Sequence, residues 1–289
     1  MSRARPPAPP AEGVRSTTSE RLRPKYYRRN LTLLAAGILI AGVTLYLALP
    51  IVALFLRMTP DLFFTTVRDP VVLSALWLSL FTTTITLAVV ILVGTPFAYF
   101  HSRFEYPGKV IVDTLIDLPL VLPPAVAGVA LLVLYGRTGI LGRYFNMFGI
   151  SLAFTTVAVI MAQIFVASPF YLRQAKSLFE QLDPAYEQTA RTLGASSLRT
   201  LGLVVLPMTA GGLVSGAVMT FGRALGEFGA TILFAGNLPG VTQTMPLAVY
   251  VGMESNVNVG LTISIVLVVI SFTIMIAVRF IQRREGKHA

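Results

Sequence analysis

Long apolar runs, separated by short polar stretches that hold nearly all the charge, are the dominant pattern along this chain. Runs at 31–56, 71–100, 110–135, 150–172, 206–234 and 258–280 are each long enough to cross a hydrocarbon core of about 30 Å as a helix. No water reaches that depth, so every backbone amide must find its partner within its own segment. Runs of this length are therefore predicted helices, and a β-barrel is excluded. The pattern predicts an all-α membrane protein with six transmembrane helices. A further uncharged stretch, 228–253, overlaps the fifth run but contains Asn237, Pro239, Gly240, Thr242, Gln243, Thr244 and Pro246. Such residues do not suit a lipid-exposed helix, so 236–255 is read as an outer-side re-entrant segment whose helix starts near Pro246.

Composition agrees with this class: 55% of residues are hydrophobic and 12% charged, and the mean hydropathy is +0.74. The net charge of +10 is unevenly spread. With the N-terminus inside, the inner segments hold eighteen Lys and Arg, including Arg103, Lys109, Arg173, Lys176, Arg191 and Arg199, and the outer ones hold five: Arg57, Arg68, Arg137, Arg143 and Arg223. That bias predicts both termini on the cytoplasmic side, and it makes the basic balance a topology signal rather than a mark of nucleic-acid binding. Residues 1–30, basic and rich in proline, are expected to form a disordered cytoplasmic tail. The 31–56 run is a full span ending at Arg57, and so reads as an uncleaved anchor and not a leader. The chain has no Cys, which removes thiolate chemistry and Cys-ligated metals. His101 and His288 are expected to be solvated loop histidines, and no metal site is expected.

Catalytic patterns are missing. There is no His-Glu-x-x-His, no Gly-x-Ser-x-Gly and no phosphate-cradling Gly-x-x-x-x-Gly-Lys-Ser/Thr. Any ATP that drives this protein must be bound by another chain. The informative polar residues lie within the apolar runs, where charge is costly and usually functional. Asp113 and Asp117 are four apart, on one face near the start of the third run, where helix capping and interfacial solvation would account for them as readily as function. Pro119, Pro123 and Pro124 follow, so the helix must break or bend there, either toward a pore or as a packing kink. In the fifth run Arg223 and Glu227 are four apart and predicted to pair, as a structural ion pair or as a contact for cargo. Small residues from Gly211 to Gly229 allow close helix approach, either within one subunit or between two.

Between the fourth and fifth runs, 173–205 is predicted to be a cytoplasmic loop. Within it Asp183 is a plausible N-cap, Pro184 fits a first helical position, and Ala185 to Leu193 are good helix formers that stop at Gly194. Leu206-Pro207 is expected to restart the chain as a span. A lone polar helix in an inner loop is common, and the fixed spacing from Gly194 to Leu206-Pro207 makes this one more specific.

In that spacing the chain resembles, over roughly residues 74–280, the permease subunits of binding-protein-dependent ABC importers of the type I fold. Their loop signature is Glu-Ala-Ala, three residues, Gly, nine residues, Ile, one residue, Leu-Pro. Here Gly194, Val204, Leu206 and Pro207 fill the later positions, and Gln188-Thr189-Ala190 stands where Glu-Ala-Ala is expected. The acidic residue comes one place earlier, as Glu187, leaving both Glu187 and Gln188 as candidates for the contact with an ATPase. Three further segments are similar to the molybdate permease branch, with sulfate permeases close behind. They are Leu115 to Pro124, Arg223 to Thr231, and Asn237 to Tyr250.

The resemblance implies a pore-forming subunit without catalytic residues, placed as a homodimer in the cell inner membrane. It implies an ABC ATPase dimer on the cytoplasmic side that binds the ATP and Mg, and an extracytoplasmic binding protein that delivers an oxyanion, molybdate first, then tungstate or sulfate. Asp183, Glu187, Gln188, Ala190, Gly194, Ala195, Leu206 and Pro207 would couple to the ATPase, and Asp117, Pro119, Pro123, Pro124, Arg223 and Glu227 are the pore or gate candidates. Two other classes stay open on the residues alone. One is an ion-coupled secondary transporter that uses Asp113, Asp117 and Glu227 as relay groups, and the other is a scaffold or receptor that transports nothing.

Overall fold

The structure is a computed structural model that describes residues 23–285, with side chains described for 32–277. The expectations for residues 1–22 and for His288 lie outside the described residues. Every described regular element is helical. The chain divides into two units, residues 1–53 and 54–289. The first contains most of α1 (Arg23–Arg57), a long apolar helix. It begins eight residues before the run predicted at 31, so residues 23–30 are helical and not the disordered tail expected there. Pro24 falls in the first turn, where its missing N–H costs nothing, and no breaker separates it from the apolar run.

The second unit contains α2 (Pro60–Thr66), α3 (Pro70–Arg103), α4 (Lys109–Val121), α5 (Pro124–Tyr135), α6 (Gly142–Met147), α7 (Thr156–Gln181), α8 (Pro184–Thr192), α9 (Ser197–Thr200), a π-helical turn at Leu201–Val205, α10 (Leu206–Leu225), α11 (Gly229–Phe234), α12 (Met245–Ser255) and α13 (Val257–Glu285). Among the described residues, with α1 included and α4 and α5 counted as one bent pair, six segments are long and apolar enough to cross a bilayer.

Its centre is the trio α3, α7 and α10, which pack extensively on one another. Small residues make this possible: a Cβ on Gly212 would meet Leu178 Cδ1 at 2.5 Å, and one on Gly216 would meet Gln174 Cγ at 3.0 Å. These two glycines therefore serve packing of α10 on α7 within one subunit. One apolar cluster gathers Val90, Tyr99, Tyr171, Phe179, Val205 and Leu213 between the three helices. A second joins α7 to α5 and α11 through Ala127, Ala158, Ala162, Ala230 and Phe234. A third seats α12 between α3 and α13, through Val72, Ala75, Met245, Ala248 and Ile263.

Several boundaries differ from the hydropathy reading for identifiable reasons. The fourth span starts at Thr155 and not at 150, because Gly149 and Phe154 have φ of +73° and +62° and the Thr155 hydroxyl then accepts from Ala158 N at 3.3 Å as the cap. It runs on to Gln181, so Arg173 and Lys176, predicted in a loop, lie on the last turns of α7. Leu206-Pro207 opens α10 as predicted, with the proline in the first turn, but the chain before it does not leave the helix, which is continuous from Ser197 to Leu225. The π-helical turn just before Pro207 accommodates the proline, which supplies no N–H to the ladder and crowds the preceding carbonyl. The fifth run is likewise two helices, α10 and α11, parted at Gly226–Phe228.

Candidate functional site

Local chemistry shapes the polar helix α8. The Asp183 carboxylate accepts from Ala185 N at 2.9 Å, and Pro184 occupies the first turn. At the other end Gly194 has φ +84°, its N–H donates to Arg191 O at 2.9 Å, and Ala195 N donates to Ala190 O at 3.0 Å. This pair of bonds is the Schellman closure that a glycine with positive φ permits. Gln188 faces outward and Ala190 is half-buried, while Tyr186, Leu193 and Leu198 expose 51%, 84% and 69% of their surface.

Glu187 differs from the rest of α8. It is 5% exposed and turned inward, where Tyr99 Oη donates to Oε2 at 2.8 Å and Arg103 Nε to Oε1 at 2.7 Å. Arg103 Nη2 also donates to Leu182 O at 3.3 Å, which ties together the end of α3, the end of α7 and the start of α8. Glu187 and Gln188 are thus distinguished by geometry: the carboxylate is engaged inside the chain and Gln188 is exposed on the outer face of α8. Nothing local foretold Tyr99 and Arg103, which are 88 and 84 residues away.

On the opposite side of the α3 terminus, His101 is 3% exposed. It is not the solvated loop histidine expected: Nδ1 lies 2.6 Å from Tyr106 Oη and Nε2 lies 2.8 Å from Asp113 Oδ1. Asp113 also pairs with Lys176 of α7, and Asp117 lies 3.4 Å from Arg173 Nε. Neither aspartate caps α4, whose N-cap is Gly108. The capping explanation fails because both carboxylates sit beyond the first turn and have basic partners on α7.

Two helix breaks form the interior part of the site. Residues before proline are driven out of the α region, and Leu122 and Pro123 both precede one, so they adopt ψ of 131° in succession. The result is a 117° bend between α4 and α5, with Pro119 inside α4, Pro123 as the N-cap of α5 and Pro124 as its first residue. Freed backbone is satisfied locally, as Val126 N and Ala127 N donate to Pro123 O at 2.9 and 3.2 Å.

In the second break, Glu227 Oε1 accepts from Ala230 N at 2.8 Å and so caps α11, while Oε2 lies 2.7 Å from Arg223 Nη1. The Glu227 side chain is 0% exposed and that of Arg223 28%. The pair therefore hides its carboxylate and presents its guanidinium. The breaks touch: a Cβ on Gly229 would meet Pro124 Cβ at 2.8 Å, and one on Gly128 would meet Ala230 O at 2.7 Å. Sequence reasoning treated the two breaks separately. It also missed Gln163 of α7, which accepts from Thr86 at 3.0 Å and donates to Ala224 O at 3.2 Å, linking α3 to the end of α10.

This geometry occurs in a chain whose residues 91–287 match the family described as binding-protein-dependent transport system inner membrane component. The molybdenum transport system permease protein ModB of Mycobacterium tuberculosis (strain H37Rv) is 39% identical over 241 residues, covering 83% of this chain and 90% of that protein. ModB of Escherichia coli K12 is 42% identical over 187 residues, 63% of this chain and 82% of that protein. The sulfate transport system permease protein CysT of Salmonella typhimurium is 31% identical over 258 residues, 88% and 93% of the two. In fold, the chain is similar to a bacterial ABC transporter involved in the import of the acidic polysaccharide alginate, with a TM-score of 0.70 at 16% identity, over 90% of this chain and 98% of that one.

Proposed function

Because the chain belongs to the binding-protein-dependent inner membrane components, the permeases of ABC importers, we propose that it moves a tetrahedral oxyanion, molybdate first, across the cell membrane by alternating access. In this reading two copies enclose the pathway, both termini lie in the cytoplasm, and a separate ATPase dimer binds the ATP and Mg. A binding protein outside delivers the anion. The observation that carries the anionic cargo is the Arg223–Glu227 pair. Its carboxylate is sealed and its guanidinium is the exposed member, so a pair with no net charge still offers directional N–H donors toward an anion. The identity to molybdenum permeases favours molybdate over sulfate within that class.

On the inner side, α8 is the proposed docking helix. Gln188 lies on its outward face, exposed Leu193 follows at its C-cap and exposed Leu198 in α9, while Asp183, Gly194 and Ala195 fix its length. The stroke that draws two such helices together would rock the spans they join, and the interlocked breaks at Pro123–Pro124 and Gly226–Gly229 are the proposed gate. Asp117 and Pro119 lie on the α4 side of that gate. Among the described residues no group of His, Asp and Glu side chains has the arrangement to hold a metal.

The test is reconstitution of the chain with its cognate ATPase and binding protein in liposomes, with labelled molybdate, tungstate and sulfate. The expected result is ATP-dependent molybdate uptake that excess sulfate does not compete away. Preferential sulfate uptake would redirect the cargo, and uptake driven by an ion gradient with no ATPase present would overturn the reading.

A further inference from the structure

We propose that the end of α3 is a two-sided relay joining α8 to the proline hinge between α4 and α5, with Arg103, Tyr99 and His101 as positioning residues. The inference rests on the permease reading above and names the route by which a push on α8 reaches the pathway.

Tyr99 and Arg103 are four apart and share one face of α3, and both hydrogen-bond the same buried carboxylate, that of Glu187. The backbone of α8 packs on α9 and the π-helical turn, so the link from α8 to α3 is made by these side chains. His101, two residues from each, points the other way. There its Nε2 meets Asp113 of α4 at 2.8 Å, and Asp113 is also held by Lys176 of α7. One helical turn of α3 therefore grips the docking helix on one side and the hinge-bearing helix on the other.

Both grips are rigid for the same physical reason. Glu187 is 5% and His101 3% exposed, so each grip has one buried member that loses free energy on leaving its partner, even where the partner, as with the 36% exposed Asp113 side chain, can turn to water. Displacement of α8 is thus more readily passed to α3 than absorbed at the contact. From Asp113, α4 continues eight residues further, with Pro119 inside it, about 12 Å at 1.5 Å per residue, to Val121, where the chain turns through 117° into α5. The bend is the compliant element, because Leu122 and Pro123 are extended and their own bonds, Leu122 N to Leu118 O and Val126 N and Ala127 N to Pro123 O, each stay on one side of it. Coupling between distant sites needs an element with more than one arrangement, and this hinge is the element the relay reaches.

The absence of Cys permits a direct test in the full complex with ATPase and binding protein. Val110→Cys and Val133→Cys place spin labels at exposed positions on the two arms of the bend, and pulsed electron resonance reads their separation without nucleotide and with ATP. The expected result is a separation that changes with nucleotide in the parent and stays fixed in Arg103→Gln. Import per ATP hydrolysed should fall about tenfold in that variant, within the range of ordinary coupling between sites, while hydrolysis and complex assembly persist. Exchange of the charges, Arg103→Glu with Glu187→Arg, should restore part of both signals. Should Arg103→Gln fail to assemble, Tyr99→Phe removes a single hydroxyl and should show the same defect more weakly. A nucleotide-dependent change of full size in Arg103→Gln, or a parent that imports with no change across the bend, overturns the relay. A parent that neither holds the ATPase nor imports removes the permease reading, and the relay with it.

Discussion

Glu187 and Glu227 are both buried glutamates beside a short helix, and they are held in opposite ways. Glu227 lies in an apolar span, yet all its partners are within four residues: Arg223 one turn before it and the Ala230 amide just after. Glu187 lies in a polar helix, yet its partners come from the far end of α3, more than eighty residues away. A carboxylate set among apolar helices is costly unless paired, and partners within one turn are at hand as soon as the local chain folds. In a polar helix, water can hold the carboxylate until the helices dock. The comparison teaches that a carboxylate among apolar helices is satisfied locally, whereas the one in a polar helix is satisfied by tertiary contact.

The sharpest way to break the comparison is Arg223→Leu, which strands a fully buried carboxylate. Loss of one member of a buried pair costs about 3–5 kcal/mol, so a marked drop in thermal stability of the purified chain is expected. A drop no larger than that of a surface substitution would mean that Glu227 is held by the α11 cap alone. Next, Glu187→Gln keeps the shape and removes the charge that draws Arg103 and Tyr99. Hydrogen bonds to a charged group are worth about 1.5–3 kcal/mol, and the Arg103 head can recover some of that from water, so a smaller loss is expected by the same measurement. Equal losses from the two substitutions would erase the distinction between local and tertiary satisfaction. The smallest effect belongs to Gly194→Ala. Space beside this glycine is open, so only the left-handed backbone is penalised, by about 1–2 kcal/mol, and faster amide exchange confined to α8 is the readout.

What was legible in the chain follows the same division. Fold class and membrane embedding came from the long uncharged runs, and family membership bears out the resemblance read from Gly194, Val204 and Leu206-Pro207. The ends of α8, the break at Pro123–Pro124 and the Arg223–Glu227 pair follow from rules that act over a few residues. His101 differs from expectation because Asp113 reaches it only when α4 packs against α7 beside the end of α3, while the nearby Tyr106 covers its other nitrogen. Pro207 stands in the first turn of α10, as proline's preference suggests, but no local signal announces the π-helical turn that joins α10 to the helix before it. The start of α7 was misplaced because hydropathy is blind to the Phe154 turn and the Thr155 cap. The contact between the two breaks, Gly229 on Pro124 and Gly128 on Ala230, is tertiary and leaves only small residues as its trace.

The π-helical turn at Leu201–Val205 also sets a phase. Each residue of a helix advances the side-chain direction by about 100°, so one position more or fewer before Leu206 would rotate everything beyond it by that angle. Thr209, Leu213, Gly216 and Thr220, which now look inward, would swing toward the flank of the helix. The wide turn is a clocking device, and the chain's tolerance for insertions should be least in these five residues, even though their composition is unremarkable for a lipid-facing stretch.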